Sequence, residues 1–123
     1  MTKAAALHAF FNSFGIPFYT ASNVPDDTIF PWGTYEAAFG AFGDEPLSIT
    51  VNLWYRTTSE KIPNDKAMEI SEAIGLGGKA IFCDGGAIFL RRGEPFCQNL
   101  SDETDDLIKR RYINVTAEFI TNN

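Results

Sequence analysis

The clearest periodicity in the chain is two. From Leu47 to Arg56, the apolar residues Leu47, Ile49, Val51, Leu53 and Tyr55 alternate with Ser48, Thr50, Asn52, Trp54 and Arg56, which predicts a strand with one apolar face. A longer alternation from Leu107 to Ile120, with Ile113, Val115, Ala117 and Phe119 on one side, predicts a final strand. Between them, Ala80–Cys83 and Ala87–Leu90 flank Asp84-Gly85-Gly86, the signature of a tight hairpin, and Gly93-Glu94-Pro95 predicts a break before Phe96–Leu100. The period changes near the N-terminus. Leu7, Phe10, Phe11 and Phe14 recur at helical spacing over residues 2 to 14, with Thr2 placed to cap the start and Gly15 and Pro17 to end it. A second helix is predicted from Pro63 to Ile74, with Ala67, Ile70 and Ile74 inward and Gly75 as its stop. Residues 16 to 31 hold three prolines and read as a connection with a short strand near Phe18–Ala21, followed by a strand over Trp32–Phe39. The order of elements implies an α+β fold: a mainly antiparallel sheet packed by an N-terminal and a central helix, in a single domain over residues 1–123.

Composition narrows the class. The 123 residues are 45% apolar and 21% charged, inside the globular range and outside the disordered and collagenous ones. With 11 Phe, 4 Tyr and 2 Trp there is bulk enough for a core without crosslinks. Sixteen acids against ten bases give a formal charge of −6, which disfavours nucleic acid, since affinity for phosphate backbones comes mainly from clustered Lys and Arg. No apolar run approaches the ~20 residues of a membrane helix, and the N-terminus lacks a long apolar leader, so a cytoplasmic protein is expected. In that compartment Cys83 and Cys97 are expected as free thiols.

Catalytic equipment is sparse. The lone histidine, His8, lies off the apolar stripe and reads as a solvated helix residue rather than a general base. Gly75-Leu76-Gly77-Gly78-Lys79-Ala80 imitates a phosphate-binding turn, but it leaves a helix and enters a strand, the reverse of what presents helix amides to a phosphate. Asp102, Glu103, Asp105 and Asp106 crowd four carboxylates together without the glycine and distal glutamate of a calcium loop. No catalytic, cofactor-binding or metal-ligating residue is assigned. The acidic run is followed by Lys109-Arg110-Arg111, and it reads either as a solvated turn or as one half of complementary patches on neighbouring subunits. Gly40 to Pro46 predicts a projecting loop with Phe42, Gly43 and Asp44 at its tip, expected to be mobile until a partner orders it. Aromatic loops of this kind suit burial against partners better than chemistry.

An ordered series of short motifs runs through the chain. After the first helix come Phe18-Tyr19, Val24-Pro25, Phe30-Pro31-Trp32-Gly33-Thr34-Tyr35-Glu36, Leu53-Trp54-Tyr55-Arg56 and Ser59. Ile74-Gly75, Cys83-Asp84-Gly85-Gly86, Arg92-Gly93-Glu94-Pro95-Phe96-Cys97-Gln98, Asp102–Asp106 and Ile108–Ile113 follow. Over nearly its whole length the chain resembles the tail-completion, or tail-terminator, proteins of long-tailed bacteriophages and prophages. The resemblance implies a non-enzymatic subunit that assembles, usually six-fold, into a ring on the head-proximal end of the tail tube. There it halts tube growth and faces the head connector; its partners would be copies of itself, the major tail-tube protein and the connector, with no cofactor. It also implies residence in the virion, after assembly in the host cytoplasm. A ring needs two different patches that meet between copies. The residues expected there are Phe42, Gly43 and Asp44, the acids Asp102, Glu103, Asp105 and Asp106, and the bases Lys109, Arg110 and Arg111, with the final strand offering a sheet edge. A head-to-tail connector or minor capsid component, a small cytoplasmic binding module and a small carboxylate enzyme are the competing readings.

Overall fold

The computed structural model describes residues 1–123. The fold is α+β: α1 (Lys3–Phe11), a short 3₁₀ turn (Asn12–Phe14), β1 (Phe18–Thr20), β2 (Trp32–Tyr35), β3 (Leu47–Arg56), α2 (Lys61–Ile74), β4 (Lys79–Cys83), β5 (Gly86–Ser101) and β6 (Ile108–Thr121). The strands form one sheet in the order β1-β2-β3-β6-β5-β4, antiparallel throughout except for β1 beside β2. Both helices pack on the same face. Phe11, Phe14, Ile70 and Ile74 meet Ile49, Val51, Leu53, Ile88, Leu90, Ile113, Val115 and Phe119 there in one apolar core. Each of the larger fully buried side chains contributes roughly 1.5–3 kcal/mol through burial, so this layer dominates stability.

Local chemistry sets the boundaries. The Thr2 hydroxyl accepts from the Ala5 N–H, so α1 begins where expected. It ends three residues earlier than the apolar stripe does, because Asn12 and Ser13 offer side-chain bonds that compete with helix propagation. The Ser13 hydroxyl donates to the Phe10 carbonyl at 2.6 Å, and the Asn12 amide holds both the N–H and the carbonyl of Phe18. The stripe nevertheless stays buried, Phe14 being carried inward by the 3₁₀ turn. The second helix starts two residues before Pro63, which is buried in its first turn. The second strand is shorter than the predicted Trp32–Phe39: beyond Glu36 the chain leaves the sheet, and Lys3 Nζ at 2.9 Å and the Thr121 hydroxyl at 3.5 Å hold the Gly40 carbonyl instead.

Two glycines shape the long hairpin. At Gly86, with φ of 151°, a Cβ would lie 1.9 Å from the Ile120 carbonyl oxygen, so only hydrogen fits where β5 leaves the turn and meets β6. The predicted break at Gly93-Glu94-Pro95 is a bulge within one continuous strand: Arg92 pairs with Val115 and Cys97 with Ile113, so four residues bow out opposite Asn114. A Cβ on Gly93 would sit 2.6 Å from that of Asn114, whose amide donates to the Pro95 carbonyl at 2.7 Å. The insertion also flips the parity of β5, so that Ile88 and Leu90 face the helices before it and Cys97 does so after it.

The final strand is not an edge, contrary to expectation. It pairs along its length with β3 on one side and β5 on the other. Its unbroken alternation of fully buried residues is what a central strand requires; the edges fall to β1 and β4. No helix is long and apolar enough to cross a membrane.

Candidate functional site

The exposed large apolar groups are spread over loops, the outer face of α2 and the strands, with Phe82 and Phe42 among the most exposed. Phe42 is 78% exposed at the tip of the projecting loop. The loop is pinned to the end of β6 at Phe42 itself and closed internally: the Phe42 N–H donates to the Thr121 carbonyl, and the Asp44 carboxylate accepts from the Ala41 N–H, both at 2.9 Å. Phe42, Gly43 and Asp44 therefore stand together against Glu118, Phe119 and Ile120 around a shallow hollow of about 250 Å³.

At the opposite end of the sheet, the four carboxylates occupy the β5–β6 connection, and they are not equivalent. Asp102 accepts from the hydroxyl and N–H of Thr104 and from the N–H of Asp105, bonds that hold its carboxyl below the usual carboxylate range. Asp105 is lowered in the same way by the Leu107 N–H and then by Arg56, whose Nε lies 3.0 Å from its carboxylate. These two acids build the turn, while Glu103 and Asp106 project into solvent.

The basic run does not form a surface patch. Strand alternation sends Lys109 and Arg111 to the helix-covered face and Arg110 to the other. Arg111 is 1% exposed beneath α2, donating to Glu60 Oε2 at 2.8 Å and Asn64 Oδ1 at 2.9 Å. Its charge is spent inside the subunit and cannot meet a neighbour. Lys109 is mostly covered as well, bonded to the Asp106 carbonyl and 3.8 Å from Glu60. Of the three, only Arg110 is presented to a sheet face that no helix covers.

That uncovered face carries a feature the motif reading missed. Trp32 and Trp54, cross-strand partners on β2 and β3, stack with ring centroids 5.2 Å apart. The Arg110 guanidinium lies 4.7 Å above the Trp54 ring and 6.0 Å from that of Tyr112, and its Nε donates to Asn52 Oδ1 at 2.8 Å. Phe30 continues the row beyond Trp32. The signal was present in the sequence: Trp54 is the one large aromatic on the polar side of the β3 alternation. Its indole N–H is buried without an acceptor.

No family model, curated protein or solved structure matches this chain. Function therefore rests on the chemistry of its own residues. His8 is exposed on α1, with Nδ1 3.3 Å from the Tyr35 hydroxyl and the Asn12 amide alongside. Cys83 and Cys97 are free thiols, and burial raises Cys97 above the ordinary thiol range, with Arg111 opposing it. Nowhere do three His, Cys, Asp or Glu side chains gather as a metal site would require. The Gly75–Ala80 segment leaves α2 and enters β4, with the Gly75 N–H bonded to the Ser71 carbonyl, a helix stop rather than a phosphate cradle.

Proposed function

We propose that this chain is a non-enzymatic virion assembly protein of the tail-terminator type, which closes into a ring on the head-proximal end of a tail tube, stops tube growth and faces the head connector. The observation that carries this reading is the anchored loop bearing Phe42. A phenylalanine ring left 78% exposed on a loop pinned to the sheet gains little burial within the subunit, and most of its burial energy is open to another surface. The acidic connection lies at the far end of the sheet, so the two features address different neighbours. A ring in which loop and acidic turn meet different patches is heterologous, the kind of contact that closes by rotation. With Arg111 inside the fold, the basic side of that contact reduces to Arg110 and to groups outside the Lys109–Arg111 run.

Tube-length control tests the proposal. Purified tail-tube protein is polymerised with and without this chain, and tube lengths are measured by negative-stain microscopy. The expected result is arrested tubes carrying a terminal ring, with Phe42→Ser abolishing arrest while the circular dichroism spectrum stays unchanged. Unaltered tube lengths, with the chain bound only to connector, would transfer it to the head-to-tail connector; no binding to either would remove it from the virion.

A further inference from the structure

The Phe42 loop is held at its base by a residue far away in sequence. Lys3 opens α1, and a cation in the first turn of a helix works against the helix dipole, so α1 gains nothing from its charge. The ammonium is used elsewhere. Its Nζ donates to the Gly40 carbonyl at 2.9 Å and to the main-chain oxygen of Asn123, and it lies 5.7 Å from the centre of the Phe119 ring. The Thr121 hydroxyl reaches the same two oxygens, at 3.5 Å and 3.1 Å. Gly40 itself is buried between the Asp44 carboxylate and the Phe119 ring, which an added Cβ would meet at 3.2 Å and 3.3 Å. Beyond it the Asp44 N–H donates to the Ala41 carbonyl at 3.0 Å, closing the turn that carries Phe42.

We propose that Lys3 is the positioning residue of this loop, an inference that rests on the docking role of Phe42 under the tail-terminator reading. By tying the Gly40 carbonyl to the end of β6, Lys3 holds Phe42 in one pose before any partner arrives. The loop expected from sequence to order only on contact is thereby ordered in advance. A loop fixed beforehand loses less freedom when Phe42 is buried, so more of its burial energy reaches the contact. A lysine suits this task because one ammonium carries three donors and no acceptor, and can join two main-chain oxygens that cannot bond each other. Bonds from a charged donor are also the stronger kind, whereas the Thr121 contact with Gly40, at 3.5 Å, is long for a hydroxyl and does not replace it.

Amide exchange on the intact chain tests the inference. Lys3→Met keeps the apolar stem and a good helix former while removing a charge that the helix dipole opposes, so α1 is not weakened by it. Exchange at Phe42 and Asp44 is expected to accelerate on the order of tenfold, with exchange at the centre of β3 and β6 unchanged. Lys3→Arg, which keeps the charge and the donors, is expected to restore slow exchange. In the tube-length experiment Lys3→Met is expected to require on the order of tenfold more protein for arrest, and Lys3→Arg close to the wild-type amount. The inference is overturned by a wild-type Phe42 amide that already exchanges as freely as in an unfolded chain, or by Lys3→Met leaving that amide unchanged. Acceleration shared equally by the central strands, or a loosened loop that arrests tubes as well as before, also overturns it. A wild-type chain that leaves tube lengths unaltered but shows the expected exchange pattern removes the proposed function and leaves Lys3 as the residue that holds the loop.

Discussion

Arg111 shows how a charge can be misread from its neighbours in sequence. Three consecutive bases suggest a surface, but a strand cannot present three consecutive side chains on one face, and burial then decides which ones face inward. The buried guanidinium is held by Glu60, whose side chain is 58% exposed, so the two partners are not interchangeable. Removing Glu60 strands a buried cation, whereas removing Arg111 frees a carboxylate that can turn to water. Glu60→Ala is expected to lower stability by about 1–3 kcal/mol in urea unfolding, while Arg111→Met, apolar and similar in length, is expected to be nearly neutral. Arg111→Glu buries a carboxylate against Glu60 and is expected to prevent folding. At Tyr55 the hydroxyl is pushed up to about 12, by burial first and by the charge of Glu69 second. A raised folded value favours the neutral phenol, so its contribution to stability is complete below the unfolded value near 10 and is lost as pH rises toward 12. Burial raises the Tyr35 hydroxyl too, so absorbance titration of tyrosinate should show two late-titrating groups, and unfolding free energy should fall as they ionise.

At the scale of elements, turn chemistry and side-chain bonds to the backbone set the ends of helices and strands. Gly86→Ala is the sharpest test. Its Cβ would meet the Ile120 carbonyl, and neither backbone can yield without breaking the β5–β6 ladder, so a loss of at least ~2 kcal/mol is expected in thermal unfolding. Asn12→Ala is expected to cost ~1–2 kcal/mol, since it leaves the Phe18 N–H and carbonyl without their partner. It should also raise hydrogen exchange at Phe18. The hairpin, both helices and β3 were legible from glycine spacing and periodicity. The bulge in β5 was not, because Gly93 and Pro95 signal an interruption without saying whether the strand ends or bows out. What decides it is Asn114 on the neighbouring strand, bonded to the Pro95 carbonyl.

At the scale of the whole molecule, one sheet face is packed by two helices and the other carries the Trp32–Trp54–Arg110–Tyr112 row with no cover from this chain. The ends of the sheet hold the Phe42 loop and the acidic turn. Because Asp102 and Asp105 are both lowered by bonds that build the turn, its stabilisation is present above the ordinary carboxylate range and lost as pH falls through their depressed values. Amide exchange at Thr104, Asp105 and Leu107 should therefore accelerate on acidification before the core strands respond. The sequence by itself determined the class of the fold, the buried faces of its helices and of β3 and β6, and the exposed aromatic at position 42, since periodicity and turn residues act locally. Only the tertiary structure decided that the last strand is central, that Arg111 is buried, that two tryptophans stack beneath an arginine, and that the sheet edges fall to β1 and β4. Each of these depends on which strands become neighbours, and that is settled by the packing of residues far apart along the chain.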